Sequence, residues 1–344
     1  MKLICTFLLM LLIVGQANSQ SGKQKLDEVA FFKDESIMEV RVVLNLKQLL
    51  ANKMKEGRKF PAAFFAKLND STEIQGPVTL EVRGKYRKEN CDLPPLKVDF
   101  KTSSTSLLSS LGSLKLVNVC KPGTSNHTEF LLKEYLIYKL YNLLTEKSFR
   151  VRLLKIRYED SAGKRKFNEY AFLMEDLKDM AKRNDCVERK RPVKHSENTD
   201  RKQMTKVALF EYMIANLDWS VPAGHNIKLI VGKTDTNALA FAVPYDFDHA
   251  GFVHTDYALP PPQINVADVT ERNYRGFERQ MEELQDEATV FLTQKNNIYK
   301  LVNEFNLLPS STRKEMIRFL DDFFEMLTKP NKIKAEFIQN ARKD

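Results

Sequence analysis

Apolar and polar residues alternate along much of the first half of the chain, and this alternation predicts half-buried β-strands. Within residues 78–86, the apolar side chains of Leu80 and Val82 point to one side and the polar residues between them point to the other. Residues 96–100 repeat the pattern, which places Lys97 on the face away from the core. Further strands are predicted at residues 39–44, 113–119, 151–158 and 168–174.

Apolar residues at helical spacing predict helices over residues 129–144, 203–217 and 312–327. In the first of these, Glu134 lies among apolar and aromatic neighbours, where a carboxylate usually finds a cation. The alternative is a position at the rim of the core, with the carboxylate in water. The last helix is predicted to begin with a capping box from Thr312 to Glu315.

The pattern divides the chain into three parts. Residues 1–19 combine an apolar run with small residues at the end, as in a signal peptide. Residues 20–176 form a predicted β-rich N-terminal lobe, and residues 177–344 form a mainly helical C-terminal lobe. The apolar run of the leader is too short to anchor the chain in a membrane. We therefore expect an exported protein, periplasmic or extracellular, with no transmembrane anchor once the leader is removed.

Cysteine usage agrees with an exported protein that has few disulfides. Three cysteines follow the leader, and Cys91 and Cys120 each lie beside a predicted strand. One disulfide between these two is expected in an oxidising compartment, with Cys186 left free. The spacing of the three has no zinc signature.

The positive net charge of the chain indicates which class of molecule it binds. The chain carries a formal net charge of +9 at pH 7, and many of its basic residues fall in residues 178–202, which are predicted to be a solvated loop or lid. That stretch lacks the aromatic residues that stack on bases, so no nucleic-acid partner is expected. An acidic or phosphorylated protein substrate fits the charge better. The expected partner is a protein substrate that is acidic or hydroxyl-rich.

Oxygen-bearing side chains gather around a predicted hairpin over residues 227–243. Asn226 precedes the hairpin, Asp246 and Asp248 follow it, and Asp218 ends the helix before it. Carboxylate and amide oxygens suit Mg²⁺ and a phosphorylated substrate. The alternative is that these are ordinary turn and cap residues. Their apolar neighbours favour the metal site, because a buried carboxylate pair needs a cation.

Seven short motifs follow one another along the chain. In order, they are Val82-Arg83-Gly84, Lys97, Lys133-Glu134, Glu175, Asn216-x-Asp218, Asn226 and Asp246-x-Asp248. This order resembles the spore coat protein H (CotH) family of secreted atypical protein kinases, and the similarity covers about residues 78–255. The resemblance implies an α+β, divergent two-lobed protein-kinase-like fold, with ATP and Mg²⁺ as cofactors.

The resemblance assigns nucleotide-binding roles in the first part of the chain. Lys97 would contact the nucleotide phosphates and take part in catalysis, and Glu134 would pair with Lys97. Glu175 would lie in the hinge beside adenine. Arg83 would belong to the nucleotide-binding turn, although the basic segment after it departs from the small, hydroxyl-rich turn of the family.

The resemblance assigns catalysis and metal binding to the second part. Asp218 would orient the acceptor hydroxyl, while Asn226 and Asp246 would hold Mg²⁺, with Asp248 able to exchange roles with Asp246. The expected activity is transfer of phosphate from ATP to a protein.

Three alternatives remain open from the sequence. The same site can belong to a catalytically silent envelope or surface binding module. It can also serve an enzyme that uses ATP for ligation or adenylylation. A metal-dependent hydrolase is a lesser alternative, since His225, His249 and His254 flank the acidic residues without a recognised zinc motif.

Overall fold

The computed structural model describes residues 28–69, 72–103 and 106–343. The predicted signal peptide, residues 1–19, lies outside this part of the chain. Among the helices of the described ranges, none is both long enough and apolar enough to span a membrane.

The first part of the chain forms a closed seven-stranded barrel. Its strands are β1 (Met38–Leu44), β2 (Lys59–Asn69), β3 (Thr72–Val82), β4 (Leu96–Asp99), β5 (Ser113–Asn118), β6 (Val151–Asp160) and β7 (Lys166–Met174). Around the barrel the order is β1-β2-β3-β4-β5-β7-β6. All neighbours are antiparallel except β1 and β6, which run parallel and close the barrel.

The prediction of a two-lobed protein-kinase-like fold is wrong, because these strands close into a barrel. Closure depends on β1, which pairs with β6 from Met38 opposite Leu154 to Leu44 opposite Asp160. It also depends on β2, a strand that the sequence pattern did not reveal and that joins β1 to β3. With both pairings made, no strand of this sheet is left with an unpaired edge.

Strand alternation fills the barrel with apolar side chains and leaves a polar row outside. Leu80, Leu96 and Leu114, on three neighbouring strands, are fully buried in the interior. Burial of one such side chain contributes about 1.5–3 kcal/mol. On the opposite face, Lys97 of β4 is in register with Lys115 of β5. Lys97 and Lys115 therefore share the outer face of the barrel.

A second apolar core lies among the helices and a small sheet. The sheet contains β8 (Cys186–Glu188), β9 (Ile227–Gly232) and β10 (Phe241–Pro244), in the order β10-β9-β8. The helices are α1 (Glu28–Lys33), α2 (Leu46–Ala51), α3 (Tyr86–Asn90), α4 (Ser106–Ser109), α5 (Ser125–Leu144), α6 (Leu177–Arg183), α7 (Arg201–Met213), α8 (Met281–Glu304), α9 (Ser310–Leu327) and α10 (Pro330–Lys334). A 3₁₀ turn at Ser196–Asn198 and a π turn at Ala335–Gln339 complete the described elements. Helix α5 packs into this core along with α7, α8 and α9.

Several predicted helix boundaries differ from the structure by a few residues, and two of the differences have a local reason. Helix α7 ends at Met213 rather than at residue 217, because Ala215 adopts a positive φ of 49° that interrupts the helix. Helix α9 begins at Ser310, and the hydroxyl of Thr312 donates to Glu129 on α5 at 2.8 Å instead of capping its own helix. Because α7 ends at Met213, Asp218 lies in a loop and not in the helix.

Candidate functional site

One cavity of about 380 Å³ brings together five of the eight residues that the sequence singled out. It lies where the end of strand β3 meets the small sheet. Arg83, Gly84 and Lys85 of the turn after β3 supply one side. The predicted acidic and amide residues supply the other, namely Asp218, Asn226, Asp246 and Asp248. Its volume falls within the range of small-ligand sites.

The β9–β10 pairing explains why Asn226 and Asp246 meet. Ile227 at the start of β9 is paired with Pro244 at the end of β10. Asn226 directly precedes β9, and the N–H of Tyr245 donates to its carbonyl oxygen at 3.0 Å. The predicted hairpin is thus confirmed, although its second strand begins at Phe241 rather than at residue 238.

Both residues at the mouth of this hairpin have left-handed backbone conformations. The φ angle is 52° at Asn226 and 66° at Asp246. Asn and Asp tolerate this region better than other residues with a Cβ, and such conformations cluster at functional sites. The N–H of Asp246 donates to the hydroxyl of Tyr138 at 2.9 Å, which fixes the turn against α5. Within the described residues, no hydrogen bond to the Asp246 carboxylate is found.

Asp218 is held by three neighbours. One carboxylate oxygen lies 2.8 Å from Nε2 of His225, and the other accepts from Nδ2 of Asn226 at 2.9 Å. Its backbone N–H donates to Oδ1 of Asn216 at 3.1 Å. Since Nδ2 of Asn226 is used in this way, the amide oxygen of Asn226 is the atom that remains to bind a cation.

Glu211 of α7 stabilises the loop that carries Asp218. It was not predicted as a site residue. Its carboxylate accepts from Nδ2 of Asn216 at 2.9 Å, and Asn216 in turn accepts from the N–H of Asp218. Burial raises the pKa of Glu211 to about 8, although the hydrogen bond from Asn216 acts in the opposite direction. The signal in the sequence was an acidic residue among the inward-facing apolar positions of α7.

A buried charge network forms the floor of the cavity. Nη1 of Arg87 lies 3.3 Å from Glu134 and 4.0 Å from Asp248. The hydroxyl of Tyr257 donates to Asp248 at 3.0 Å. Burial raises the pKa of both Glu134 and Asp248, while the positive charge of Arg87 acts in the opposite direction. Arg87 is the cation that Glu134 was expected to find.

Lys97 and Glu175 lie outside the cavity lining. Lys97 is exposed on the outer face of β4, and its neighbours in register are Glu81 and Lys115 rather than Glu134. Glu175 is buried and bonded to Arg183 at 2.8 Å and to the N–H of Arg150 at 3.0 Å. Arg183, from the stretch predicted to be solvated, is therefore part of a buried ion pair.

The disulfide prediction is confirmed. Cys91 and Cys120 are bridged, with their Cα atoms 4.6 Å apart, and Cys186 is free and buried. Cys91 directly follows α3, and its N–H donates to the carbonyl of Arg87 at 3.1 Å. The bridge therefore anchors the short helix that presents Arg87 to the cavity floor.

The donor set fits a metal that is shared with a ligand better than a metal held by protein alone. In the described part of the chain, no three His, Cys, Asp or Glu side chains are grouped so as to hold a metal ion. Mg²⁺ commonly takes one or two carboxylates and completes its shell with water and substrate phosphates. The open carboxylate of Asp246 and the amide oxygen of Asn226 suit such an arrangement.

Comparison with protein families and curated proteins gives no match from which a function follows. No protein-family model matches the chain. A search of curated proteins likewise finds no match.

Proposed function

We propose that the chain is an exported enzyme that binds ATP with Mg²⁺ in this cavity and transfers phosphate to a hydroxyl group of a protein. The observation that supports the proposal is the single cavity in which Asp218, Asn226 and Asp246 face Arg83. Phosphoryl transfer needs placed charges and an oriented acceptor more than covalent chemistry by the protein. These four residues also belong to the motifs whose order resembles the CotH family.

Metal binding is assigned to Asp246 and Asn226. Hydrogen bonds to Tyr138 and Tyr245 fix the backbones of these two residues at the mouth of the hairpin. When bound, the magnesium–nucleotide complex supplies the phosphoryl group and offsets its negative charge. Asp248 is less available, because it is buried against Arg87 and Tyr257.

Asp218 is assigned to the acceptor hydroxyl. It lies in the same cavity as Asp246, and the hydrogen bonds from Asn226 and His225 fix the direction of its carboxylate. A carboxylate held in this way can orient a hydroxyl and accept its proton. The nearby turn at Gly84, which has a φ of 80°, places Arg83 and Lys85 where they add positive charge for phosphate oxygens.

The acceptor is proposed to be an acidic or hydroxyl-rich protein. The net charge of +9 favours encounter with an acidic partner. Serine and threonine hydroxyls of the acceptor would supply the reacting group.

The proposal is tested by binding and by transfer. Mg-ATP at about 100 times its dissociation constant should stabilise the chain by roughly 2.7 kcal/mol, which raises its melting temperature. Asp246→Asn should remove most of this shift, whereas Asp286→Asn, at an exposed position on α8, should retain it. Mass spectrometry of an acidic, serine-rich acceptor after incubation should show added phosphate. Added adenylate would instead support the adenylylating alternative, and no stabilisation by Mg-ATP would contradict the proposal.

A further inference from the structure

Arg275 binds the backbone on both sides of Asp218. Its Nη1 donates to the carbonyl oxygen of Leu217 and, at 2.8 Å, to the carbonyl oxygen of Trp219. The guanidinium also lies 5.2 Å from the centre of the Trp219 ring. Arg275 belongs to the segment before α8, which is 56 residues beyond Trp219 in the sequence. These contacts therefore fix the loop that carries Asp218 to a distant part of the chain.

Glu211 binds the same loop from the last turn of α7. Its carboxylate accepts from Nδ2 of Asn216 at 2.9 Å, and its carbonyl oxygen accepts from the N–H of Asn216 at 2.8 Å. Oδ1 of Asn216 in turn accepts from the N–H of Asp218 at 3.1 Å. Because both ends of the Asn216 amide are used, the position of the Asp218 backbone depends on Glu211.

The surroundings of Glu211 are unfavourable for a carboxylate. The side chain is buried, and its Oε1 has no hydrogen-bond partner within the described ranges. Burial raises its pKa to about 8; Asn216 and Arg275 oppose this shift, and the charge of Asp218 adds to it. Tyr141 of α5 is also near: burial raises the pKa of its phenol, and the charge of Glu211 adds to the rise. A buried carboxylate of this kind beside a site residue is more typical of a functional position than of a core.

We propose that Glu211 and Arg275 are positioning residues, which hold the carboxylate of Asp218 in the orientation that the acceptor hydroxyl requires. This inference rests on the proposed function, since Asp218 is assigned to the acceptor there. Neither positioning residue lines the cavity, so neither contacts the nucleotide proposed to bind in it. Their contribution is to the rate, because a reacting group displaced by about 1 Å can cost about 10²-fold.

The test compares phosphate transfer with Mg-ATP affinity in variants of the full chain, at a temperature where each is folded. Arg275→Met should lower the transfer rate at saturating Mg-ATP by about tenfold to a hundredfold and keep the affinity within a few-fold. Glu211→Leu, which cannot accept the hydrogen bond from Asn216, should have the same effect. Glu211→Gln keeps an acceptor oxygen and should retain most of the transfer.

Arg272 provides a matched control for Arg275. It is also partly buried, and it also donates to two backbone carbonyls, those of Met213 and Phe319. Neither carbonyl belongs to the loop that carries Asp218. Arg272→Met should therefore lower the melting temperature, as Arg275→Met does, but leave the transfer rate of the folded protein within about twofold of wild type.

A pH profile separates positioning from a purely structural role. In wild type, the transfer rate at saturating Mg-ATP should fall as the pH rises through about 8, because ionised Glu211 repels the carboxylate of Asp218. Glu211→Gln does not titrate, so its profile should lack this decrease. Coincident profiles for the two proteins would overturn the role of Glu211.

The ring of His225 reports on Asp218 without any transfer reaction, because its Nε2 lies 2.8 Å from the carboxylate. Asp218→Ala gives the NMR signals of the ring without its partner. Arg275→Met and Glu211→Leu should shift the ring signals of His225 towards these values. Arg272→Met should leave them at the wild-type position.

The outcomes separate this inference from the proposed function. If Arg275→Met and Glu211→Leu lose stability but keep wild-type transfer and wild-type His225 signals, both residues only stabilise the fold and the inference is overturned, while the proposed function stands. If wild type transfers no phosphate but the His225 signals shift as expected, the positioning of Asp218 stands and the proposed function fails. If Arg275→Met does not fold, the comparison of Glu211→Leu with Glu211→Gln decides.

Discussion

Arg87 lies 3.3 Å from Glu134, and both side chains are buried beneath the candidate site. Asp248 is the next carboxylate of this network, at 4.0 Å from the same guanidinium. Removal of one partner from a buried ion pair leaves an uncompensated charge in a poorly solvated place. The network therefore links the floor of the cavity to the stability of the fold.

The first prediction concerns this pair. Arg87→Met should lower the free energy of unfolding by about 3–5 kcal/mol, because Glu134 and Asp248 lose their cation. Adding Glu134→Gln should recover part of the loss. As a control, Lys329→Met in the exposed pair with Glu325 should change the free energy of unfolding far less than Arg87→Met does. Urea unfolding measures all three, and similar values for Arg87→Met and Lys329→Met would contradict the account.

The second prediction is a pH dependence at Glu211. Burial raises its pKa from 4.5 to about 8, so the folded state holds a proton that the unfolded state releases. The stability from this group is fully present below about pH 4.5 and is lost as the pH rises through 8. Relative to Glu211→Gln, which does not titrate, wild type should lose up to about 1.4 kcal/mol per pH unit in that window. Parallel stability curves for the two proteins would show that Glu211 does not titrate in this way.

The third prediction concerns the disulfide. The bridge between Cys91 and Cys120 spans a sequence separation of 29 residues. The double variant Cys91→Ser, Cys120→Ser should lose about 3–4 kcal/mol in the chain-entropy model. Peptide mapping without reductant should find these two linked and Cys186 free. A link from Cys186 to either residue would show that the pairing is different in solution.

Sequence reasoning located the hairpin and its acidic residues because those signals are local. Asn226 and Asp246 flank two apolar strands, and antiparallel pairing of adjacent strands brings the flanks together. The same reasoning failed for the barrel, because closure depends on the parallel pairing of β1 with β6 and on the unpredicted strand β2. A contact between strands that are far apart in sequence leaves no periodic signal in either of them.

Register alone does not predict the different surroundings of Lys97 and Lys115, which lie opposite each other on adjacent strands. Alternation places Lys97 on the outer face, but it does not show that Lys115 on the next strand faces Tyr245. Glu175 illustrates the same limit. The family resemblance implied that Glu175 lies beside adenine, yet Arg183 of the following helix α6 lies 2.8 Å from its carboxylate. Such pairings depend on the three-dimensional path of the chain.

The fourth prediction separates binding from transfer, which is the central claim about this site. If Asp218 orients the acceptor while Asn226 and Asp246 hold the cation, Asp218→Ala should keep Mg-ATP affinity within a few-fold. The same variant should lower phosphate transfer by about 10² or more. Asp246→Ala should weaken both, because the metal ligand serves binding as well as transfer.

The most direct measurement is transfer of labelled phosphate to an acidic, serine-rich protein, with nucleotide affinity measured on the same preparations of wild type, Asp218→Ala and Asp246→Ala. The account predicts transfer by wild type, loss of transfer with retained binding in Asp218→Ala, and loss of both in Asp246→Ala. Transfer by Asp218→Ala at the wild-type rate would contradict the assigned role of Asp218. Binding of Mg-ATP by wild type without modification of the acceptor would contradict the claim of catalysis and favour a silent binding module.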